Sequence, residues 1–503
     1  MNQSRLSQPI DKLAIALIIL LTLIMGLLIW GGSACKDECL FHAGAKVSSF
    51  SWNDKTIGGQ DRAFILTFNR PMDRDSVEEN LTIFPSLPGK ISWSGLRLAY
   101  TLENPVPYGE TYQVTLAGAR ERFANQKQAG SEIERGSAVG KPDQAQVSLE
   151  PFNAQFRSRD RALAYVGTEG EEQGRLVLYN WTSQQTAILT PKNLTVFDFK
   201  PDPQGNFLLF SATDSSQSIK GISDLKLYKV SAQLDSSTAK PFSVELVLDS
   251  QKYQNNKFDI SQDGTTIVVQ RLNRNNPQDY GLWKLVEDKS PQMFTNNQVG
   301  DFLITPDSQA VAVAQGEGIA LLPLKEYAEP LNFLSRFGRV LDFTADGTGA
   351  AMINYNTDRE DLKYTRSLYY VNSQGVEKEL FNTDGSIQNC QFDPTAKHLY
   401  CWLTELSKGE VYVEKPYLAQ IDLKTGKINT LVTIPKYQES QVSVAPDGLG
   451  ILFERAIDKV YSGTSGEKKN SIWLAVPARN LADTTASSIE QLPFIGFHPQ
   501  WLP

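Results

Sequence analysis

The chain has 503 residues, with 57 acidic against 49 basic side chains and only three histidines. Its formal charge of −8 and the lack of any basic cluster or arginine stripe argue against a nucleic-acid partner. The length is more than one hydrophobic core fills, and implies about two or three domains.

The first element is an uncharged run. No charged residue lies between Lys12 and Lys36, and Leu13–Trp30 is apolar apart from Thr22 and small residues. With residues 31–34 it matches a hydrocarbon core of roughly 30 Å at about 1.5 Å per residue. The expectation is a cytoplasmic tail over 1–12 and a transmembrane helix or signal anchor over 13–34. Arg5 and Lys12 in the tail, against Asp11, keep the tail inside and carry the bulk of the chain to the periplasmic or extracellular side. Two other fates of the N-terminus stay open: cleavage after Ala34, and lipidation of Cys35. The sequence Gly32-Ser33-Ala34-Cys35 resembles a bacterial lipobox, with Gly32 where a bulky aliphatic is usual. All three fates export the body of the protein.

The next elements are short strands: Ala63–Phe68, Leu81–Phe84, Lys90–Trp93, Arg97–Leu102 and Thr111–Leu116. Their alternation and their Pro/Gly punctuation describe antiparallel β-structure at sandwich spacing, over residues 45–120. Asn69–Ser76 reads as a polar turn. The residues Phe68-Asn69-Arg70-Pro71-Met72-Asp73, Trp93 and Pro107-Tyr108-Gly109-Glu110-Thr111-Tyr112 resemble the bacterial Ig-like domain of envelope proteins. That resemblance implies a spacer or adhesive β-sandwich. Residues 121–147 are rich in Gly, Gln, Glu, Lys and Ala, lack apolar periodicity, and read as a linker.

From 148 to 503 one pattern recurs: an apolar residue, a polar turn, then an apolar strand. The copies begin at Phe156, Phe199, Ile260, Ile304, Phe343, Phe392 and Val444. Several turns carry Asp-Gly, as at Asp263-Gly264 and Asp346-Gly347, because Gly tolerates positive φ. Third and fourth strands follow most copies. A repeat of four strands every roughly 40 to 60 residues is the signature of a β-propeller blade. Seven copies argue for about seven blades, with six or eight open. The C-terminal Gly496–Pro503 reads as a further first strand that closes the ring on the first blade. Val444-Ala445-Pro446-Asp447-Gly448 is similar to the repeat of TolB-like propellers, which implies the same fold for this whole segment.

Catalytic signals are sparse. His42, His398 and His498 stand in no metal-ligand spacing. There is no Gly-x-Ser-x-Gly elbow and no phosphate loop. The Asp-Gly pairs repeat as turn punctuation. No cofactor is expected, and the reading is a non-catalytic binding or scaffold protein of the cell envelope, single-pass in the membrane, with a protein or polymer partner. Two alternatives stay open: a propeller enzyme of lyase or glycosidase type with a site at the channel mouth, and a passive spacer.

Two sites follow from the strand pattern. Cys390 and Cys401 flank one hairpin, and the register that pairs Phe392 with Leu399 pairs them too, so a cross-strand disulfide is expected. The loops joining second to third strands are long, at Ser211–Ser223, Arg271–Tyr280, Asn356–Thr365, Thr404–Lys415 and Ala456–Asn470. They carry Arg271, Arg274, Tyr280, Arg359, Tyr364, Tyr412 and Tyr461. Tyr and Arg are favoured interface anchors, and loops on a rigid scaffold concentrate function, so these residues form the expected binding face.

Overall fold

The computed structural model describes residues 17–23, 44–122, 148–217, 221–232, 243–287, 289–294, 300–316, 318–324, 331–407, 413–435, 437–457, 469–477 and 488–503. Residues 17–23 are helical. The rest of the expected membrane segment lies outside the described residues, and among the described residues no helix is long and apolar enough to cross a membrane. The linker from 123 to 147 also lies outside them.

Two four-stranded sheets share the first core. One runs Val47–Phe50, Ala63–Phe68, Arg97–Leu102, Gly89–Ser94; the other runs Thr56–Ile57, Phe152–Ser158, Thr111–Leu116, Leu81–Phe84. Alternation drives this layering: in Ala63–Phe68 the side chains Phe64, Leu66 and Phe68 are buried and their neighbours face outward. Phe64 stacks on Tyr100 at 5.0 Å, and Tyr112 stacks on Phe156 at 5.1 Å. The polar segment after Pro71 is not only a turn, because Arg74–Asn80 is a short helix whose Val77 enters this core.

Phe152–Ser158 corrects one expectation. The copy at Phe156 is a strand of the sandwich, antiparallel to Thr111–Leu116, and not part of a blade. Phe156 is drawn there by Tyr112 and Trp52, and an apolar residue followed by a polar turn is common to both architectures.

Among the described residues the remaining strands form seven four-stranded antiparallel units, arranged as a β-propeller. Blades 2 to 7 start from the inner strands Leu194–Pro201, Tyr253–Ile260, Phe302–Ile304, Arg339–Phe343, Ile387–Phe392 and Ser443–Val444. Blade 1 consists of Ala162–Gly167, Leu176–Asn180 and Gln185–Ile188, and takes its inner strand from the C-terminus. The long strand Ser488–Trp501 is outermost in blade 7 through residue 495, then pairs with Ala162–Gly167 from residue 496. The last blade and the first thus form one continuous sheet, which closes the ring.

The turns between first and second strands place a positive φ at one position. It is Gly264 (φ 71°), Gly347 (70°) and Gly448 (72°), but Ser308 (57°) in blade 4 and Ala396 (53°) in blade 6. The neighbouring Asp263, Asp307 and Asp346 accept hydrogen bonds from a turn hydroxyl and from the N–H two residues on. These aspartates are turn residues.

Candidate functional site: the free face and the channel

The sandwich sits on the hairpin face of the disc. The chain passes from Ser158 to Ala162 through a joint of three residues, each of them pinned. Arg159 accepts the Gly109 N–H at 2.7 Å on its carbonyl and donates Nη1 to the Pro503 carbonyl at 3.0 Å. Asp160 accepts from Asn180 Nδ2 at 2.8 Å. Arg161 pairs with Asp447 of the blade 7 turn and lies 5.8 Å from the Trp501 ring. Asp447, with its side chain 1% exposed, also accepts the Tyr108 N–H at 3.1 Å. Burial pushes the Tyr108 phenol up to about 12, and its oxygen accepts the Gly59 N–H at 2.7 Å. Arg62 donates to the Pro394 carbonyl of blade 6 at 3.3 Å.

Polar side chains, with Leu303 among them, line the axis in two tiers. The lower tier is the penultimate position of each inner strand: Gln500, Lys200, Asp259, Leu303, Asp342, Gln391 and Ser443, from blade 1 to blade 7. Four of these accept the N–H of the last inner-strand residue of the next blade. The bonds are Asp259 to Ile304, Asp342 to Phe392 and Gln391 to Val444, each at 2.8 Å, and Ser443 to Trp501 at 3.0 Å. In blade 2 that last residue is Pro201, which has no N–H. The preceding side chain is accordingly a donor: Gln500 Nε2 reaches the Phe199 carbonyl at 3.0 Å. Lys200 and Leu303 cannot accept. There the next blade's own aspartate bonds its following N–H, Asp259 to Ile260 at 3.0 Å and Asp342 to Phe343. Every N–H at this level has a partner.

The upper tier is ionic. His498 Nδ1 lies 3.1 Å from Asp198, and Asp301 takes both Lys257 and Arg339 Nε, the latter at 2.7 Å. Burial holds the His498 imidazole below its usual pKa, against Asp198. Gln500 Nε2 lies 2.9 Å from His498 Nε2, so a neutral ring protonated on Nδ1 satisfies both contacts. Burial opposes ionisation of Asp301, but Lys257 and Arg339 outweigh it and lower its pKa. In the lower tier, burial pushes Asp342 up to about 7, against the Phe392 and Phe343 N–H groups and Lys200. Among the described residues no cluster of His, Cys, Asp and Glu could hold a metal ion.

The loop face, opposite the sandwich, holds the expected anchors in unlike states. Arg271 is 6% exposed and belongs to the strand Thr266–Asn273, not to a loop. Its guanidinium lies between the Tyr253 ring at 4.4 Å and the Trp283 ring at 5.0 Å and donates Nε to Asn255. It is therefore a packing residue, which corrects its place on the binding face. Arg274 bridges blades 2 and 3 through Ser250 O at 2.7 Å and Asp224 at 3.0 Å. Tyr280 is half-buried in the strand Tyr280–Val286. Arg359 pairs with Asp361 at 2.7 Å, and Tyr364 is 83% exposed. Tyr412 and Tyr461 lie outside the described residues. Cys390 and Cys401 are joined by a disulfide, with Cα atoms 4.1 Å apart.

A cleft of about 800 Å³, which no sequence pattern marks, lies on this face between blades 1 and 2. Its walls are the 167–175 loop, Lys192 and Ser215; Phe197 and Phe497 of two inner strands reach it from the axis. Phe197 falls at a register shift between Val196 and Asp198, where a bulge breaks the alternation.

No family model matches the chain, and no curated protein matches its sequence. Solved structures resemble it at low identity. TolB from Acinetobacter baumannii is 11% identical, with a TM-score of 0.39 over 84% of this chain and 83% of that one. Oligogalacturonate lyase from Vibrio parahaemolyticus is 14% identical, with a TM-score of 0.40 over 56% and 79%. A putative 6-phosphogluconolactonase from Bacteroides uniformis is 13% identical, with a TM-score of 0.43 over 68% and 99%.

Proposed function

We propose that the protein is a non-catalytic binding protein of the bacterial cell envelope, anchored through residues 13–34, with an Ig-like sandwich carrying a TolB-like propeller. The propeller's loop face meets an envelope protein or polymer on the periplasmic or extracellular side. One observation carries this reading: the sandwich occupies the hairpin face through Asp447, Pro394 and Pro503, so the opposite face, with its cleft, is the one left open. The inward charges speak for a scaffold too, since most of them join one blade to the next. The catalytic alternative has Asp342 in its favour, a carboxyl that titrates at about 7. Photo-crosslinking of the full chain in its envelope tests the proposal. A crosslinker at Tyr364 should capture a partner and one at Leu96 of the sandwich should not; capture from Leu96 alone would move the site to the sandwich.

A further inference from the structure

The seam where the ring closes is tied by a histidine. In the C-terminal strand Phe497 pairs with Val166 and Gln500 with Ala164, so His498 and Pro499 together stand opposite Tyr165. This bulge turns His498 into the left-handed region, at φ 54°, which residues other than glycine seldom adopt. Contacts to blades 7 and 2 hold it there. Its N–H donates to Glu454 Oε2 of blade 7 at 2.9 Å, and its ring packs on Phe199 of blade 2 at 5.4 Å. Nδ1 lies against Asp198 and Nε2 against the Gln500 amide.

The hydrogen bonds admit one protonation state. A backbone carbonyl only accepts, so the bond to the Phe199 carbonyl puts the NH2 of Gln500, and not its oxygen, on this side. That NH2 needs a lone pair on His498 Nε2, which leaves the ring proton on Nδ1, facing Asp198. A second proton would sit on Nε2 and set donor against donor. Turning the amide over relieves the clash only by placing its oxygen against the Phe199 carbonyl. Pro201 offers no N–H at this seam, so the Gln500 bond is what ties the closing strand to blade 2 in the lower tier. Charging the ring breaks that tie.

The charged surroundings set the sign. Leu194–Pro201 brings Asp198 and Lys200 to the imidazole. Ile451–Ile457 brings Glu454, whose own pKa burial raises, and Ala162–Gly167 brings Tyr165, whose hydroxyl donates to Glu172. Across the channel, Asp259 holds Lys200 with Asp342 behind it, and Asp301 is taken by Lys257 and Arg339. Asp198 favours the imidazolium, but it already faces Nδ1–H of the neutral ring, and its side chain is 41% exposed, so the added attraction is screened. Burial, the largest influence, and Lys200 act the other way and keep the ring neutral below its usual range. The contribution of the neutral ring is complete above the unfolded value of 6.5 and is lost as the pH falls through the lower folded value.

We propose that the seam between blades 1 and 2 is an acid-sensitive latch, closed by neutral His498 and released when the imidazole takes up a proton. The latch lies beneath the cleft: Phe497 precedes His498, Phe197 precedes Asp198, and both phenyl rings reach the cleft. Release therefore shifts two of the cleft's walls. The latch stands apart from the binding-face reading, which the Tyr364 crosslink tests separately.

The test is hydrogen–deuterium exchange of the full chain in lipid nanodiscs, near pH 7.5 and near pH 5, corrected for intrinsic rates. Asp342 and Glu454 carry the opposite sign, so the seam is read locally and not from global unfolding. An opening that returns the ring to its ordinary 6.5 becomes more frequent by as much as about thirtyfold near pH 5. Protection of 496–501 and of Ala162–Gly167 should fall toward that limit, while Arg339–Phe343 in blade 5 keeps its protection. His498→Asn does not titrate and tolerates positive φ, so it should abolish the pH dependence. Gln500→Glu gives the imidazolium an acceptor and should reverse it. Imidazole nitrogen NMR should find His498 protonated on Nδ1 alone near pH 7.5. Equal seam protection at both pH values in the parent, acid sensitivity retained in His498→Asn, or a proton on Nε2 near pH 7.5 would each overturn the latch. If His498→Asn leaves the seam open at both pH values, Gln500→Glu decides: undiminished acid sensitivity there overturns the latch, and lost or reversed sensitivity sustains it.

Discussion

The two faces of the propeller are held by opposite means. The hairpin face is knit into the sandwich by buried polar contacts that span the whole sequence, such as Arg159 to Pro503 and Arg161 to Asp447. The loop face carries exposed side chains paired with close neighbours, such as Arg359 with Asp361. A charge removed from the first should cost stability, and an exposed one removed from the second should cost only recognition. The same joint also touches the C-terminal segment that closes the ring, since Arg159 holds Pro503 and Arg161 packs on Trp501. Docking of the sandwich and closure of the ring are therefore coupled.

Asp447→Ala should break this comparison most visibly. It leaves the Arg161 guanidinium and the Tyr108 N–H without their buried acceptor, a loss of about 3 kcal/mol. Limited proteolysis should then cut at Arg159–Arg161, where the parent resists; an uncut joint would show that the sandwich docks by apolar contact alone. Replacing Cys390 and Cys401 together by Ser opens a cross-link between residues 11 apart in sequence, and should lower stability by about 2–3 kcal/mol in urea unfolding. An unchanged midpoint would mean that the core between blades 5 and 6 holds that hairpin unaided.

Asp342→Asn sharpens the account of the channel. The folded carboxyl keeps its proton up to about 7, while the unfolded one releases it near 3.8. The contribution of this group is full below the unfolded value and is lost as the pH rises through about 7. An amide cannot ionise, and its oxygen can still accept the Phe392 N–H. The variant should match the parent near pH 4 and exceed it by about 4 kcal/mol near pH 8 in chemical unfolding. A loss at pH 8 would mean that the ionised carboxylate is the stabilising form. Gln500→Leu removes the donor to Phe199 and His498 and should cost about 1 kcal/mol in the same assay. No loss would make the Gln500 bond incidental to closure.

The blades were legible because each hairpin makes the same local demand. A positive φ after a polar residue favours Gly264, Gly347 and Gly448, and the pattern survives even where Ser308 and Ala396 stand in their place. The disulfide was legible for a similar reason, since register follows from the hairpin. Contacts distant in sequence were not. The pairing of Pro201 with a donor at Gln500 depends on the ring being closed, and nothing local to either residue announces it. Phe156 was misread because its burial is decided by Tyr112 and Trp52 of the sandwich. Arg271 was misread because composition places arginine at the surface, whereas two aromatic rings enclose this one. The cleft escaped notice because its wall is a short loop and its phenyl rings look like ordinary strand residues.

The smallest effect on stability should come from the loop face, and that makes it the sharpest contrast. Arg359→Ala with Tyr364→Ala removes one exposed, solvent-screened ion pair and one side chain 83% exposed, so the unfolding curve should not move. Arg271→Ala, by comparison, empties the space between Tyr253 and Trp283 and should lower stability, although it stands in the same region. If the partner is lost from the Arg359/Tyr364 variant with its unfolding curve unchanged, recognition belongs to the exposed anchors. If the partner is lost only with Arg271→Ala, the loop face acts through the order of blade 3 rather than through its exposed side chains.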